Sequence, residues 1–292
     1  MGLMNFYEKN YAKIMIIPLL LLVVAAFVIF NFYKETGDIM YKDVSLKGGI
    51  TATVYTEKEF SLEELSNKLD EAFKDSNIRR LSEFGSNKQI GIIVEIGEMD
   101  EGKLKSILQS FFGFDLNDDN YSVEVVGSSL GASFYSQMSK AIILAFIFMA
   151  IVVFAVYRTA IPSLAVVFAA FTDIFVTLAA VDLIGLRIGT AGIAAFLLLI
   201  GYSVDTDMLL TTKVIRRKEG KLIEREFEAI RTGLTMTTTT LIALFIGYFV
   251  SSSTVLKEMF LIIFIGLLID IIATYCMNGP LLMWYAKRKR YD

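Results

Sequence analysis

The chain has 292 residues, 55% of them hydrophobic and 20% charged, with a formal net charge of −3, one cysteine and no histidine. That apolar share is too high for a single soluble domain of this length. The absence of histidine excludes imidazole metal sites, Ser-His triads and a histidine proton relay, and the lone Cys276 excludes an intrachain disulfide, so carboxylates are the main groups left to titrate near neutral pH.

The apolar residues fall in blocks: Ile14–Phe32, Ala141–Tyr157, Ile161–Val181, Ile188–Thr212, Leu234–Val250 and Met259–Tyr285. Each is about long enough to cross a hydrocarbon core of ~30 Å at ~1.5 Å per residue. The predicted fold class is therefore an α-helical polytopic membrane protein with six transmembrane helices. The first block exceeds the ~7–15-residue apolar core of a signal peptide and has no small-x-small cleavage pattern after it, so it reads as a retained helix.

The stretch between the first two blocks has its own pattern. "GGITATVYT" is a β-branched strand run. "SLEELSNKLDEAFK" opens on Ser61 with Glu64 three residues later, a capping box, and places Leu62, Leu65, Leu69 and Phe73 on one helical face. "IRRLSEF" alternates as a strand, "SNK" turns the chain, "QIGIIVEIG" is another strand, "DEGKLKSILQSFFG" a helix ending at Gly113, and "YSVEVVG" a fourth strand. The order βαββαβ predicts a ferredoxin-like α+β domain, a fold that by itself implies no ligand. The expected organisation is a cytoplasmic N-terminus and first helix over 1–33, this domain over 34–137, a five-helix bundle over 138–286 and a basic tail over 287–292.

Charge orients the spans. Lys9, Lys13, Arg158, Lys213, Arg216, Arg217, Lys218, Lys221, Arg225, Arg231 and the run Lys287–Arg290 fall in every second connection, whereas Tyr33–Gln137 holds 19 acidic and 11 basic residues. This asymmetry predicts a multi-pass protein of the cell (cytoplasmic) membrane, with both termini and the 213–231 loop cytoplasmic and the α+β domain outside. Within that loop Ile223, Phe227 and Ile230 recur at helical spacing, which predicts an amphipathic helix on the membrane surface or on a partner, or else a solvated connector. Pro162 starts the third span at little cost, and Pro280 should kink or loosen the inner end of the sixth.

Carboxylates inside spans are costly and usually face a bundle interior or water. Asp173 and Asp270 lie ~18 Å deep, and Asp205 roughly 12 Å from the inner surface. Asp207 is nearer the boundary and reads as an interfacial, wetted group. Gly266, Asp270, Thr274 and Asn278 are four apart and share a face of the sixth span. Gly201, one turn before Asp205, would let another helix approach that carboxylate. In the fifth span Arg231 precedes "TGLTMTTTT", in which Thr237 and Thr238 can bond their own backbone or a neighbouring helix. An Arg231 that approaches and leaves Asp205 would make a site that takes up and releases a proton; a static ion pair would look the same in sequence.

Several stretches together resemble the SecD/SecF family of protein-export membrane proteins, of the resistance-nodulation-division (RND) class, and in particular its six-span SecF-type subunits. "GYSVDTD" is similar to the family's fourth-span motif, "RTAIPSLAVVFAAFTD" to its second-to-third span turn, "RTGLTMTTTTLIALF" to its fifth span, and "VSLKGGI" to the Gly-Gly element after the first. The resemblance implies that the fourth-span acid and the arginine before the fifth span, here Asp205 and Arg231, belong to a proton-responsive site; Asp270 and Asp173, read from their depth in the spans, are expected to join it as ion-coupling groups. Gly201, Thr206, Asp207, Thr237, Thr238, Gly266, Thr274 and Asn278 would then support it. Bacterial SecF-type sequences carry Asn-Asp where this chain has Asp205-Thr206-Asp207, so the acid sits one position earlier, as in SecD-type sequences, a difference that points to an archaeal member. The implied function is an accessory to the Sec machinery, coupled to the proton gradient. Its implied partners are a SecD-like subunit, the Sec translocation channel, the translocating polypeptide and membrane lipid. No nucleic acid, cofactor, metal or enzymatic activity is expected.

Three other readings compete. A half-exporter of lipid or small molecules would need a large apolar cleft in the outer domain. An intramembrane aspartyl protease would need two carboxylates at one depth and the Gly-x-Gly-Asp pattern, which the sequence lacks. An assembly subunit with structural carboxylates would retain function when an aspartate becomes asparagine.

Overall fold

The computed structural model describes residues 2–56, 58, 60–82, 89–217, 220–251 and 253–289. Six of the helices among them are long and apolar enough to cross a membrane. The first span is α1 (Gly2–Ile14) and α2 (Ile16–Thr36). They part at Met15 because Pro18 has no N–H to give the Ile14 carbonyl.

After a short α3 (Val44–Lys47), β1 (Gly49–Tyr55), α4 (Leu62–Ala72), β2 (Ser76–Ser82), β3 (Gln89–Ile96), α5 (Glu101–Phe112) and β4 (Tyr121–Val126) follow the expected βαββαβ order. The antiparallel sheet is ordered β2-β3-β1-β4, as in ferredoxin-like units. The "SNK" turn lies outside the described residues. Ser61 caps α4 by accepting from the Glu64 amide at 3.3 Å, and Gly113 closes α5 at φ 72°. Alternation along β1 and β3 sends Ile50, Ala52, Val54, Ile92, Val94 and Ile96 to one face. They pack there against Leu65, Leu69, Leu104, Leu108 and Phe112 of the two helices. The opposite face turns toward the helix bundle.

The remaining spans are α6 (Ser128–Tyr157), α7 (Ala160–Ile184), α8 (Thr190–Thr211), α9 (Leu222–Val250) and α10 (Thr254–Ala273), with α11 (Gly279–Lys289) continuing the sixth. The second helix begins at Ser128 rather than at 138, since its first turns dock against α3. The amphipathic stretch 222–233 is neither a surface helix nor a connector: it is the first third of α9. Its Ile223 and Ile230 pack with Leu210, Val214, Leu282 and Met283, and Phe227 meets Tyr7 edge to face with ring centroids 5.8 Å apart. Its apolar face is thus satisfied inside the chain. Before Pro280 the helix widens into a π-turn over Thr274–Asn278. The wider turn leaves room where a proline ring would strike the Cys276 carbonyl, so the expected loosening takes this form.

The spans form two layers. Helices α7, α8 and α10 carry most of the buried residues, while α2, α6 and α9 expose long apolar faces. The α+β domain is held to the bundle by close backbone approach and by a polar latch. At Gly48, φ is 87° and an added Cβ would lie 2.7 Å from the Ser128 nitrogen; at Gly131 it would lie 2.6 Å from the Gly48 nitrogen. Nearby, Asp75 binds Lys47 and, at 2.9 Å, Arg187 of the α7–α8 loop.

Burial pushes the Asp75 carboxyl up, but the Lys47 ammonium and the Arg187 guanidinium outweigh it and hold the group below the usual carboxylate range. Its stabilisation is therefore complete above the unfolded carboxylate value of ~4 and is lost as pH falls through the lower folded value. Asp75 is 43% exposed, so the latch is worth about 1 kcal/mol at most. Asp75→Asn should loosen the joint by that amount at neutral pH, and the difference from the unaltered chain should vanish in strong acid. Hydrogen exchange at the Ile188 amide, which donates to the Tyr41 carbonyl at 2.7 Å, reads this directly.

Candidate functional site

The inner layer brings three carboxylates together. Asp173 comes from α7, Asp207 from α8 and Asp270 from α10, and each is wholly buried. Asp173 lies beside Asp270, and the Asp207 carboxylate is close enough for its charge to act on Asp173. Helical spacing explains the convergence: Leu199, Ser203, Thr206, Asp207 and Leu210 share the buried face of α8, and Gly266 of α10, having no side chain of its own, seats the Leu199 side chain directly against its backbone.

Each carboxylate has one neutral donor. The Ser203 hydroxyl donates to Asp173 Oδ2, Thr274 Oγ1 donates to Asp270 Oδ1 at 3.1 Å, and Asn278 Nδ2 donates to Asp207 Oδ1 at 2.7 Å. The second oxygens, Asp173 Oδ1, Asp207 Oδ2 and Asp270 Oδ2, are buried without a hydrogen-bond donor, and so is the Tyr275 hydroxyl. No lysine or arginine pairs with the three among the described residues. Three adjacent negative charges in a buried site of this kind would be very costly. A proton on one carboxyl becomes the donor that the next carboxyl lacks. The described acidic side chains form no metal-ligand set.

The sequence reading placed Asp205 in the site and Asp207 at the interface, and the structure reverses this. Asp205 is exposed, on a stripe with Leu198, Gly201 and Tyr202 at i, i+3, i+4, i+7, whereas Asp207 is fully buried. Two positions along a helix are ~200° apart, so only one of the two acids can face the interior. Among the described residues nothing lies within 4 Å of a Cβ added at Gly201, so no close helix contact is made there. Arg231 is also exposed, and no ion pair joins it to Asp205 among the described residues. Of the threonines, Thr237 is buried and Thr238 exposed. Thr235, Thr239 and Thr240 bond backward to carbonyls of their own helix at 2.7–3.1 Å. Thr206 is buried and donates to the Tyr202 carbonyl at 3.2 Å.

Three groups escaped the sequence reading. Ser203, one turn before Asp207, was legible as a polar neighbour on the same face. Glu258, buried at the start of α10, accepts the Gly189 amide at 2.9 Å and so caps the positive end of α8. Glu226, wholly buried in α9, looked like one more charge of a basic loop.

Comparison with known proteins follows this geometry. A family profile described as protein export membrane protein SecD/SecF, C-terminal, matches residues 105–288. The chain is 36% identical over 276 residues to the protein-export membrane protein SecF of Thermococcus gammatolerans, covering 94% of this chain and 85% of that one. It is 35% identical over 284 residues to the SecF of Methanothermobacter thermautotrophicus, covering 95% and 93%. A crystal structure of SecDF, a translocon-associated membrane protein from Thermus thermophilus, shares the fold with a TM-score of 0.73 at 21% identity. The match covers 97% of this chain and 38% of that one, so this chain spans well under half of the SecDF length. The profile, the relatives and the motif stretches read from the sequence agree: this chain belongs to the SecD/SecF family of protein-export membrane proteins.

Proposed function

We propose that this chain is an accessory subunit of the Sec protein-export machinery. It works with a SecD-like subunit beside the translocation channel and draws on the proton gradient through Asp173, Asp207 and Asp270. The observation that carries the partnership is the open stripe Leu198–Gly201–Tyr202–Asp205 on α8, matched on α9 by exposed Arg231, Met236, Ile242, Phe245, Ile246 and Phe249. An aspartate on a lipid-facing stripe is costly; under a second subunit's helices it is covered and can be paired. Asp205 and Arg231 thus become groups of the subunit interface, and the ion-coupling role passes to Asp207 with its two buried neighbours. The remaining apolar faces meet lipid. The termini are cytoplasmic in this reading, and the α+β domain stands outside, where it holds emerging polypeptide.

A small-molecule or lipid exporter is disfavoured by the cavity under the sheet. Its volume is ≈ 290 Å³, and Asp43, Arg79, Glu95 and Glu258 share its wall with Val44, Ile93 and Val255, so a purely apolar cargo would have to cover buried charges. Disulfide trapping tests the partnership: Tyr202→Cys should cross-link to a cysteine placed in the spans of the SecD-like subunit, and Phe171→Cys, on the exposed side of α7, should not. Equal trapping at both positions, or at neither, would remove the α8 stripe as the interface.

A further inference from the structure

The π-turn that supplies the donors of Asp270 and Asp207 has another buried acid on its other side. Glu226 of α9 is wholly buried, and neither of its carboxylate oxygens has a hydrogen-bond partner of good geometry. Gly279, at the end of the π-turn, makes room for it: an added Cβ there would lie 2.8 Å from Glu226 Oε1 and equally crowd the Tyr7 hydroxyl. Tyr7 of α1 stands beside Glu226 and donates to the backbone carbonyl of Tyr275 at 2.7 Å. The same five-residue turn therefore carries Thr274 on Asp270, Asn278 on Asp207, and the Tyr275 carbonyl and Gly279 against the Tyr7–Glu226 pair. Above Glu226 lies the half-exposed ion pair of Glu8 with Lys287, at 3.3 Å, and both charges act on it.

We infer that Glu226 is a second proton-exchange site, at the terminal end of the bundle, whose protonation is coupled to that of the three aspartates through the π-turn. The inference rests on the proposal that the aspartates exchange protons. Among the described residues no cation contacts this carboxylate and no donor bonds it with good geometry, and a buried carboxylate so placed is stable only as the neutral acid or with its neighbours rearranged. Lys287, whose charge acts on Glu226, is paired instead with Glu8 at the half-exposed surface. When Glu226 gains a proton from solvent at this end, its new O–H competes for the oxygen atoms that Tyr7 now occupies, and Tyr7 is the side chain tied to the π-turn carbonyl. A change there is passed to Asn278 and Thr274, the donors of Asp207 and Asp270. The proton that Glu226 takes is one lost by solvent, and no other bond is made or broken. A merely packed, permanently neutral glutamic acid would show none of this.

Infrared difference spectra of the full chain in lipid bilayers, titrated between about pH 5 and pH 9, separate the possibilities through carboxylic-acid carbonyl bands. Glu226→Gln should delete one pH-dependent band and move the midpoint of the aspartate bands by roughly one pH unit, the size at which two groups titrate as a coupled pair. Asp207→Asn should move the Glu226 band reciprocally. Tyr7→Phe keeps the ring against Phe227 and removes only the hydroxyl, so it should shift the Glu226 band and shrink the reciprocal effect. It also guards against a Gln variant that fails to fold. If Glu226→Gln deletes no titrating band, or leaves the aspartate midpoint in place, the inference is overturned while the aspartate proposal stands. If the aspartates show no titrating band in the unaltered chain, the aspartate proposal itself falls.

Discussion

Asp207→Asn should abolish the stimulation of protein export while leaving the amount of this chain in the membrane unchanged. Asparagine keeps the shape of the side chain and an oxygen to accept the 2.7 Å bond from Asn278, so packing is conserved. It cannot take or give a proton. It also places an NH₂ group where Asp207 Oδ2 now faces its neighbours without a donor, which offers the other aspartates a permanent hydrogen bond and fixes the site in one state. Losing a single proton-transferring group costs about 10²–10⁴ in rate where transfer limits turnover, so secretion of a reporter protein should drop to background. Asp205→Asn should behave differently. That side chain is exposed on α8 and outside the buried cluster, so export should fall only in step with weakened assembly with the partner subunit. Membrane levels of both subunits, measured alongside secretion, keep the two outcomes apart.

Gly131→Val should be the most damaging packing change. Helix α6 and the α3–β1 junction touch through Gly131 and Gly48, and a Cβ on Gly131 would sit 2.6 Å from the Gly48 nitrogen and 3.0 Å from the Lys47 carbonyl carbon. Those neighbours are backbone and cannot rotate away. Relief requires the α+β domain to move off the second span, at a cost of about 1–3 kcal/mol from overpacking. Gly48→Val meets the same wall from the other side and adds a backbone held at φ 87°, a conformation unfavourable for a β-branched residue. Either variant should raise protease sensitivity of the 41–49 and 127–131 segments. The latch of Asp75 with Lys47 and Arg187 alone is too exposed to hold the joint. Chain levels should fall while the folded core of the α+β domain, whose buried residues belong to its own two helices and sheet, remains protected.

Much of this architecture is legible in sequence because its signals are local and periodic. Hydropathy blocks mark the six spans, alternation marks the strands, and Ser61 and Gly113 mark helix ends. The family was legible through "GYSVDTD" and the motifs around it. What sequence could not supply was the rotation of each helix. In a soluble helix polar residues mark the outer face, but in a membrane helix lipid stands outside and, under the proposed partnership, so does a second subunit. Gly201 suggested close packing beside Asp205, yet a small residue says only that approach is possible, not from which molecule. Only the fold shows that the stripe of Leu199, Ser203, Thr206 and Leu210, which includes Asp207, is the buried one. Thr237 and Thr238 posed the same difficulty one residue apart. Glu226 was hidden for another reason: its burial depends on α1 and α11 converging from the two ends of the chain, and no local pattern encodes that contact.

Proton movement in liposomes tests the central claim most directly. This chain with its SecD-like partner is reconstituted in vesicles under an imposed pH gradient, and the decay of the gradient is followed with an internal pH-sensitive dye. The unaltered complex should dissipate the gradient faster than empty vesicles, and Asp207→Asn, at equal protein content, should return the rate to that of empty vesicles. A complex that moves protons equally well with asparagine at position 207 would show that the three buried aspartates hold helices together and carry no proton.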